Sequence, residues 1–91
     1  MPRITLQQLH RMTPAEAHAV IDQIAARMRE KFGMACEWHG DSLRFTRPGV
    51  KGDIAVGVGE ILVNAELGLM LSPMKGMIEQ EIRRKLDEHF A

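Results

Sequence analysis

The chain has 91 residues, 45% hydrophobic and 26% charged, which is the composition of one small folded domain and not of a disordered segment. Twelve basic and twelve acidic residues give a formal net charge of zero, so no long-range field draws the protein to nucleic acid or to an anionic bilayer. A single cysteine excludes an internal disulfide, and no apolar run approaches the roughly 20 residues that span a bilayer.

A strand and a helix are predicted at the start of the chain. Residues 3–9 begin with alternating polar and apolar side chains, as in a strand with one buried face. Thr13, Pro14 and Glu16 then form a capping box, in which the threonine hydroxyl accepts the backbone N–H of Glu16 and proline takes the first helical position. The helix ends at Gly33, which suits a left-handed C-cap. The predicted core side chains of these two elements are Ile4, Leu6, Ala17, Val20, Ile21, Ile24, Met28 and Phe32.

Four short strands are predicted in the middle of the chain, because apolar and polar residues alternate there. They cover residues 34–39, 42–47, 53–58 and 61–67. Turns rich in glycine separate them, and the longest predicted turn is residues 48–52. The other face of these strands is mostly polar and is expected to face water. The predicted inward side chains are Cys36, Trp38, Leu43, Phe45, Ile54, Val56, Val58, Ile61, Val63, Ala65 and Leu67.

A second helix is predicted from Ser72, which is a serine cap followed by Pro73. Its apolar stripe consists of Met74, Met77, Ile78, Ile82 and Leu86. Two acid-before-base pairs four residues apart, Glu79 with Arg83 and Glu81 with Lys85, have the favourable order for a solvated helix face.

The element order β-α-β-β-β-β-α predicts a two-layer α+β domain that covers residues 1–91. Successive hairpins form a meander, and the first strand closes the far edge antiparallel to the last, which gives the strand order 1-5-4-3-2. Both helices then cover one face of the antiparallel sheet. This layout is similar to a reduced helix-grip fold, in which a curved sheet wraps a C-terminal helix, and the analogy carries little functional weight.

The sequence contains no strong candidate for a catalytic or metal-binding residue. The four histidines, which do not form a metal-binding spacing, are His10, His18, His39 and His89. Cys36 is expected to be an inert core thiol, and Asp41 follows glycine in a two-residue turn, where aspartate usually bonds its own backbone. Arg44, Arg47 and Lys51 have no interleaved aromatic side chains to stack on bases. We therefore predict no catalytic residue, metal, cofactor or nucleic-acid partner.

The junction between the last strand and the second helix is the candidate ligand-binding site. Its residues are Leu67, Leu69, Met70, Leu71, Met74 and Met77. Methionine fits irregular apolar shapes and is frequent on adaptable binding surfaces. Ordinary core filling is the commoner use of such residues, and the alternative is a groove for an acyl chain or for the surface of a hydrophobic polymer.

An ordered set of short motifs resembles a known family. The set is Trp38-x-Gly40-Asp41, Leu43-x-Phe45, Pro48-Gly49-Val50-x-Gly52, Leu67-Gly68 and the closing I-E-x-E-I-R-R-K-L-D at residues 78–87. Together these motifs are similar to the polyhydroxyalkanoic acid (PHA) system proteins, small bacterial proteins associated with gene regions for polyhydroxyalkanoate synthesis and degradation. The resemblance extends over nearly the whole chain. It implies a context, the intracellular carbon-storage granule, and it brings no catalytic residues with it.

The function expected from the sequence is that of a small non-enzymatic protein of the PHA system. It would bind the granule surface, a granule protein or a hydroxyacyl ligand, and its N-terminus lacks a secretory apolar core, so a cytoplasmic, granule-associated location is expected. Two alternatives stay open. One is a helix-grip-like small-molecule binder or minor enzyme on a hydroxyacyl substrate, which needs a cavity between sheet and second helix. The other is a homodimer or scaffold module, favoured by zero net charge and an exposed edge at residues 34–39.

Overall fold

One antiparallel sheet and two helices make up the computed structural model, which describes residues 3–90. The elements in chain order are β1 (Arg3–Leu9), α1 (Pro14–Phe32), β2 (Ala35–His39), β3 (Ser42–Arg47), β4 (Val50–Val56), β5 (Glu60–Leu67), a 3-10 helix (Leu69–Met74) and α2 (Lys75–Phe90). The strand order is β1-β5-β4-β3-β2, and all neighbours are antiparallel. The predicted α+β class and sheet order are confirmed.

The core lies between one face of the sheet and both helices. Cross-strand register places the inward side chains in rows, one of which runs from Leu6 through Val63 and Ile54 to Leu43. The helices add their apolar stripes to the same cluster of buried side chains. The buried stripe of α2 includes Ile78, Ile82 and Leu86. Each such side chain contributes roughly 1.5–3 kcal/mol when fully buried, so this shared face holds the two layers together.

Both ends of α1 have the predicted caps. The Thr13 hydroxyl oxygen accepts the Glu16 backbone N–H at 3.2 Å, and the same hydroxyl lies 3.0 Å from the Glu16 carboxylate. At the other end Gly33 has φ +66° and donates its N–H to the carbonyl of Arg29. Glycine adopts this left-handed conformation without a Cβ clash, so the helix stops there and β2 begins two residues later.

The predicted limits of β4 are wrong at both ends. The strand begins at Val50, which pairs with Arg47, so the turn is only Pro48-Gly49 and not residues 48–52. The strand ends at Val56, and Val58, predicted to point inward, is 94% exposed. The alternation continued past the last ladder pair into a turn between two glycines, where side-chain direction no longer follows a period of two.

Two further predictions need correction. Ser72 and Pro73 lie inside the 3-10 helix, and α2 begins at Lys75. Cys36 and Trp38 are only half-buried and pack at the margin of the core, since β2 is the edge strand.

No helix within residues 3–90 is both long enough and apolar enough to cross a membrane.

Candidate functional site

The six junction residues divide into two sets. Leu67 is fully buried at the end of β5 and pairs with Val50. Leu71 and Met74 are half-buried and pack against the core. The other three are large apolar side chains in contact with water: Leu69 is 81%, Met70 92% and Met77 56% exposed. We refer to Leu69, Met70 and Met77 as the junction patch.

Backbone contacts hold the segment that carries Leu69 and Met70 in place. The Gly68 N–H donates to the carbonyl of Gly49 in the β3–β4 turn at 2.7 Å, and Leu71 donates to the carbonyl of Gly68 at 3.1 Å. Leu71 lies so close to Gly49 that an added Cβ there would be 3.0 Å from the leucine Cδ1. The inward leucine therefore anchors the 3-10 helix, while Leu69 and Met70 project from a fixed segment of chain.

A cluster of charged side chains joins the two helices beside Met77. The carboxylate of Glu81, which is 5% exposed, accepts hydrogen bonds from Arg27 Nε at 3.0 Å, Lys31 Nζ at 2.9 Å and Arg84 Nη2 at 2.9 and 3.0 Å. The bond from Lys31 comes first in lowering the pKa of Glu81 from 4.5 to about 2; burial acts in the opposite direction, and Arg27 and Arg84 add to the lowering. We call Arg27, Lys31, Arg84 and Glu81 the interhelical cluster.

The sequence-based placement of Glu81 was wrong. It was predicted to face water with Lys85, but Lys85 instead pairs with Glu88 at 3.1 Å. Glu81 falls three residues after Ile78, so it lies on the same side of α2 as the buried stripe. The sequence signal for this cluster is an acidic residue within the apolar stripe of α2, together with two basic residues four apart on α1.

A surface depression of about 710 Å³ lies at the opposite end of α2 from the junction patch. Its lining is Leu9, His10, Arg11, Met12, Gly59, His89 and Phe90. His10 is buried, and its Nδ1 accepts the Met12 N–H at 3.1 Å, so its Nε2 carries the proton and donates to the Gly57 carbonyl at 3.0 Å. The imidazole thus supports the chain after β1. We call this depression the β1-end cavity.

The uncovered face of the sheet forms a shallower depression of about 420 Å³. Its charged side chains alternate in sign along the cross-strand rows. Glu66 lies between Arg3 and Lys51, and Asp53 lies opposite Arg44. Arg3 and Glu66 form an ion pair. Three cations and two carboxylates line this face, so it carries charges of both signs with an excess of one positive charge.

Two of the motif residues from the sequence have a structural use. The Trp38 ring stacks on His18 of α1 with 4.2 Å between centroids, and its Nε1 donates to Asp22 at 2.6 Å. Asp41, expected to serve its own turn, has a carboxylate oxygen 3.3 Å from His18 Nε2. These contacts fasten the β2–β3 hairpin to α1. Within residues 3–90, no three His, Cys, Asp or Glu side chains are placed to hold a metal ion.

Comparison with known proteins identifies a family. A family model described as "putative polyhydroxyalkanoic acid system protein" matches residues 4–90, which confirms the resemblance found in the sequence motifs. No curated protein and no solved structure matches the chain. The match reaches from β1 to α2, so the whole domain carries it and not one local motif.

Proposed function

The chain belongs to the family of polyhydroxyalkanoic acid system proteins, and from that membership we propose that it is a non-enzymatic, cytoplasmic protein that binds the surface of polyhydroxyalkanoate granules. The observation that carries the proposal is the junction patch, where Leu69 and Met70 are exposed on an anchored segment and Met77 is exposed on α2. Exposed apolar side chains mark an interaction surface where several occur together, and three of the six large apolar side chains exposed within residues 3–90 fall in the short segment 69–77.

The chemistry of the junction patch suits an irregular apolar partner such as a polyester surface. Two of its three side chains are methionines, which adapt their shape to what they contact. Leu71 and Met74 fix the segment from the inner side, so binding does not have to order it. Covering the three exposed side chains would contribute on the order of 3–5 kcal/mol, which supports reversible attachment and not permanent insertion.

Sedimentation with purified granules tests this proposal. The wild-type protein is expected in the granule pellet, and the double variant Leu69→Ser/Met70→Ser is expected to bind on the order of tenfold to a hundredfold more weakly, because it loses two apolar contacts. Val58→Ser is the matched control, since Val58 is equally exposed, at 94%, but lies in the β4–β5 turn. A wild-type protein that stays in the supernatant, or a double variant that pellets as well as the control, would refute the proposal.

A hydroxyacyl ligand in the β1-end cavity is the second candidate. Leu9, Met12 and Phe90 supply an apolar lining, and Arg11 supplies a cation for a carboxylate. Titration with 3-hydroxyalkanoate oligomers, followed by methionine methyl NMR, separates the two sites. A shift at Met12 supports the cavity, and shifts at Met70 and Met77 alone support the junction patch. Unchanged signals at all three would contradict a small hydroxyacyl ligand.

A further inference from the structure

In the interhelical cluster three cations contact one acid. This part of the surface therefore carries a positive charge, although the formal net charge of the chain is zero. The carboxylate of Glu81 neutralises one charge of Arg27, Lys31 and Arg84, which leaves an excess of two. Within residues 3–90 no other carboxylate lies within 4.0 Å of these three groups. An excess counted at this distance acts on an anion that directly contacts these side chains, whatever the net charge of the molecule.

The cluster is arranged with its acid inside and its cations outside. Glu81 is buried, whereas the three basic side chains are 37–54% exposed. Both oxygens of Glu81 are occupied by two donors each. Lysine has three N–H donors and arginine five, so each of the three cations keeps donors beyond those that Glu81 uses. The acid therefore holds the cations in position for a second anion at the surface, which reduces the entropy cost of binding one.

An apolar side chain borders these cations. A shallow depression of about 380 Å³ is lined by Lys31, Met77, Gln80, Glu81 and Arg84. Met77 is 56% exposed and belongs to the junction patch. Cations beside exposed apolar side chains match a layer of amphiphiles, in which charged head groups lie directly above apolar chains. A free hydrophilic anion would make no use of Met77.

We propose that Arg27, Lys31 and Arg84 bind the phosphate head groups of an anionic phospholipid layer, with Met77 entering the boundary between head groups and acyl chains. This inference rests on the proposed function in one respect, since Met77 is shared with the junction patch. It adds a second, electrostatic contact to the apolar one. Arginine pairs with phosphate through two parallel hydrogen bonds, and two weak contacts together hold a protein on a surface that neither would hold alone.

Vesicle sedimentation tests the inference. The wild-type protein is expected to bind vesicles of phosphatidylglycerol with phosphatidylcholine and not vesicles of phosphatidylcholine alone, and the binding should weaken as salt is raised. Lys31→Gln/Arg84→Gln should bind at least about tenfold more weakly. The matched control is Arg44→Gln/Lys51→Gln, which removes the same charge from the uncovered sheet face, where charges of both signs alternate, and should bind like the wild type.

Two further variants keep the test decisive if the double variant of the cluster fails to fold. Met77→Gln changes only an exposed side chain and should weaken vesicle binding, while Lys31→Arg keeps the charge and should preserve it. Equal binding to both vesicle types, or equal binding by the wild type and Met77→Gln, would overturn the inference. Complete displacement by millimolar inorganic phosphate would overturn it as well, in favour of a free-anion site.

The same proteins distinguish this inference from the proposed function. Binding to anionic vesicles without binding to granules would support the lipid contact and refute the granule proposal. Binding to granules with no preference for anionic vesicles would support the granule proposal and refute the lipid contact.

Discussion

Glu81 of α2 joins the two helices by accepting hydrogen bonds from Arg27 and Lys31 of α1. Glu81→Gln would leave three basic side chains facing each other without the buried negative charge, so we expect a loss of about 2–3 kcal/mol in the free energy of unfolding at pH 7. Urea denaturation measures it. Glu79→Gln is the control. The carboxylate of Glu79 pairs loosely with Lys75, at 4.0 Å, so this substitution should cost less than about 0.5 kcal/mol.

The contribution of Glu81 to stability should depend on pH in a defined direction. Its pKa is 4.5 ordinarily and about 2 in the folded protein, so the unfolded chain takes up the proton first as the pH falls. The stabilisation is therefore complete above about pH 5 and disappears progressively between pH 4.5 and pH 2. The stability difference between wild type and Glu81→Gln should shrink over that interval. A difference that stays constant from pH 6 to pH 2 would contradict this role for the carboxylate.

The interhelical cluster shows where residue-level prediction from this sequence stops. The helical spacing rule favours Lys85 as partner of Glu81, because it considers only neighbours on one helix. The partners Arg27 and Lys31 are on α1 and become neighbours only after both helices pack on the sheet. The burial of Leu67 and Phe45, by contrast, follows from alternation alone and is confirmed.

Strand β4 contains a glycine whose missing side chain makes room for the core. A Cβ on Gly52 would lie 2.4 Å from the ring of Phe45 and 2.7 Å from the carbonyl oxygen of Asn64. Because the carbonyl belongs to the β5 backbone and cannot move aside, Gly52→Ala should cost about 2–3 kcal/mol and lower the Tm by roughly 10–20 °C. Thermal unfolding followed by circular dichroism would show it. An unchanged Tm would mean that the sheet has more freedom here than the structure indicates.

Helix α2 contains a glycine at a position with room for a side chain. Gly76 lies in its first turn, and beyond its chain neighbours and the adjoining helix backbone no atom is within 4 Å of an added Cβ. Gly76→Ala should therefore stabilise the protein by about 0.5–1 kcal/mol, because alanine loses less backbone entropy in a helix. The two glycine variants make a matched pair with opposite signs in the same thermal assay. Destabilisation by Gly76→Ala would reveal a contact at the start of α2 that the folded chain does not show.

At the level of elements, the sequence predicts most of the structure. The bounds of β1 and β3 and both ends of α1 agree with the prediction, because alternation and caps are local signals. Strand β4 was misjudged, since Pro48-Gly49-Val50-Lys51-Gly52 has a loop composition. A glycine occupies position 52 of the strand because the ring of Phe45, on the neighbouring strand, fills the space that a side chain would need. Local composition does not contain that reason.

For the whole molecule, the strand order could be predicted from connectivity, whereas the candidate site could be predicted only in part. Hairpins and one returning helix leave few arrangements for five strands. The junction was recognised by its methionines and leucines, but burial of Leu67 and exposure of Met70 depend on how the 3-10 helix rests on the β3–β4 turn. Net charge likewise does not reveal the positive surface next to Met77, because it averages over all faces.

The central claim is that the junction patch is the surface that contacts the granule, and methionine oxidation footprinting tests it most directly. In the free protein, Met70 and Met77 should be oxidised by peroxide much faster than Met28 and Met34, which are buried. With granules present, oxidation of Met70 and Met77 should slow at least severalfold, while Met12, in the β1-end cavity, should react at its free rate. Equal oxidation of Met70 and Met77 with and without granules, in a protein that still sediments with them, would contradict the claim.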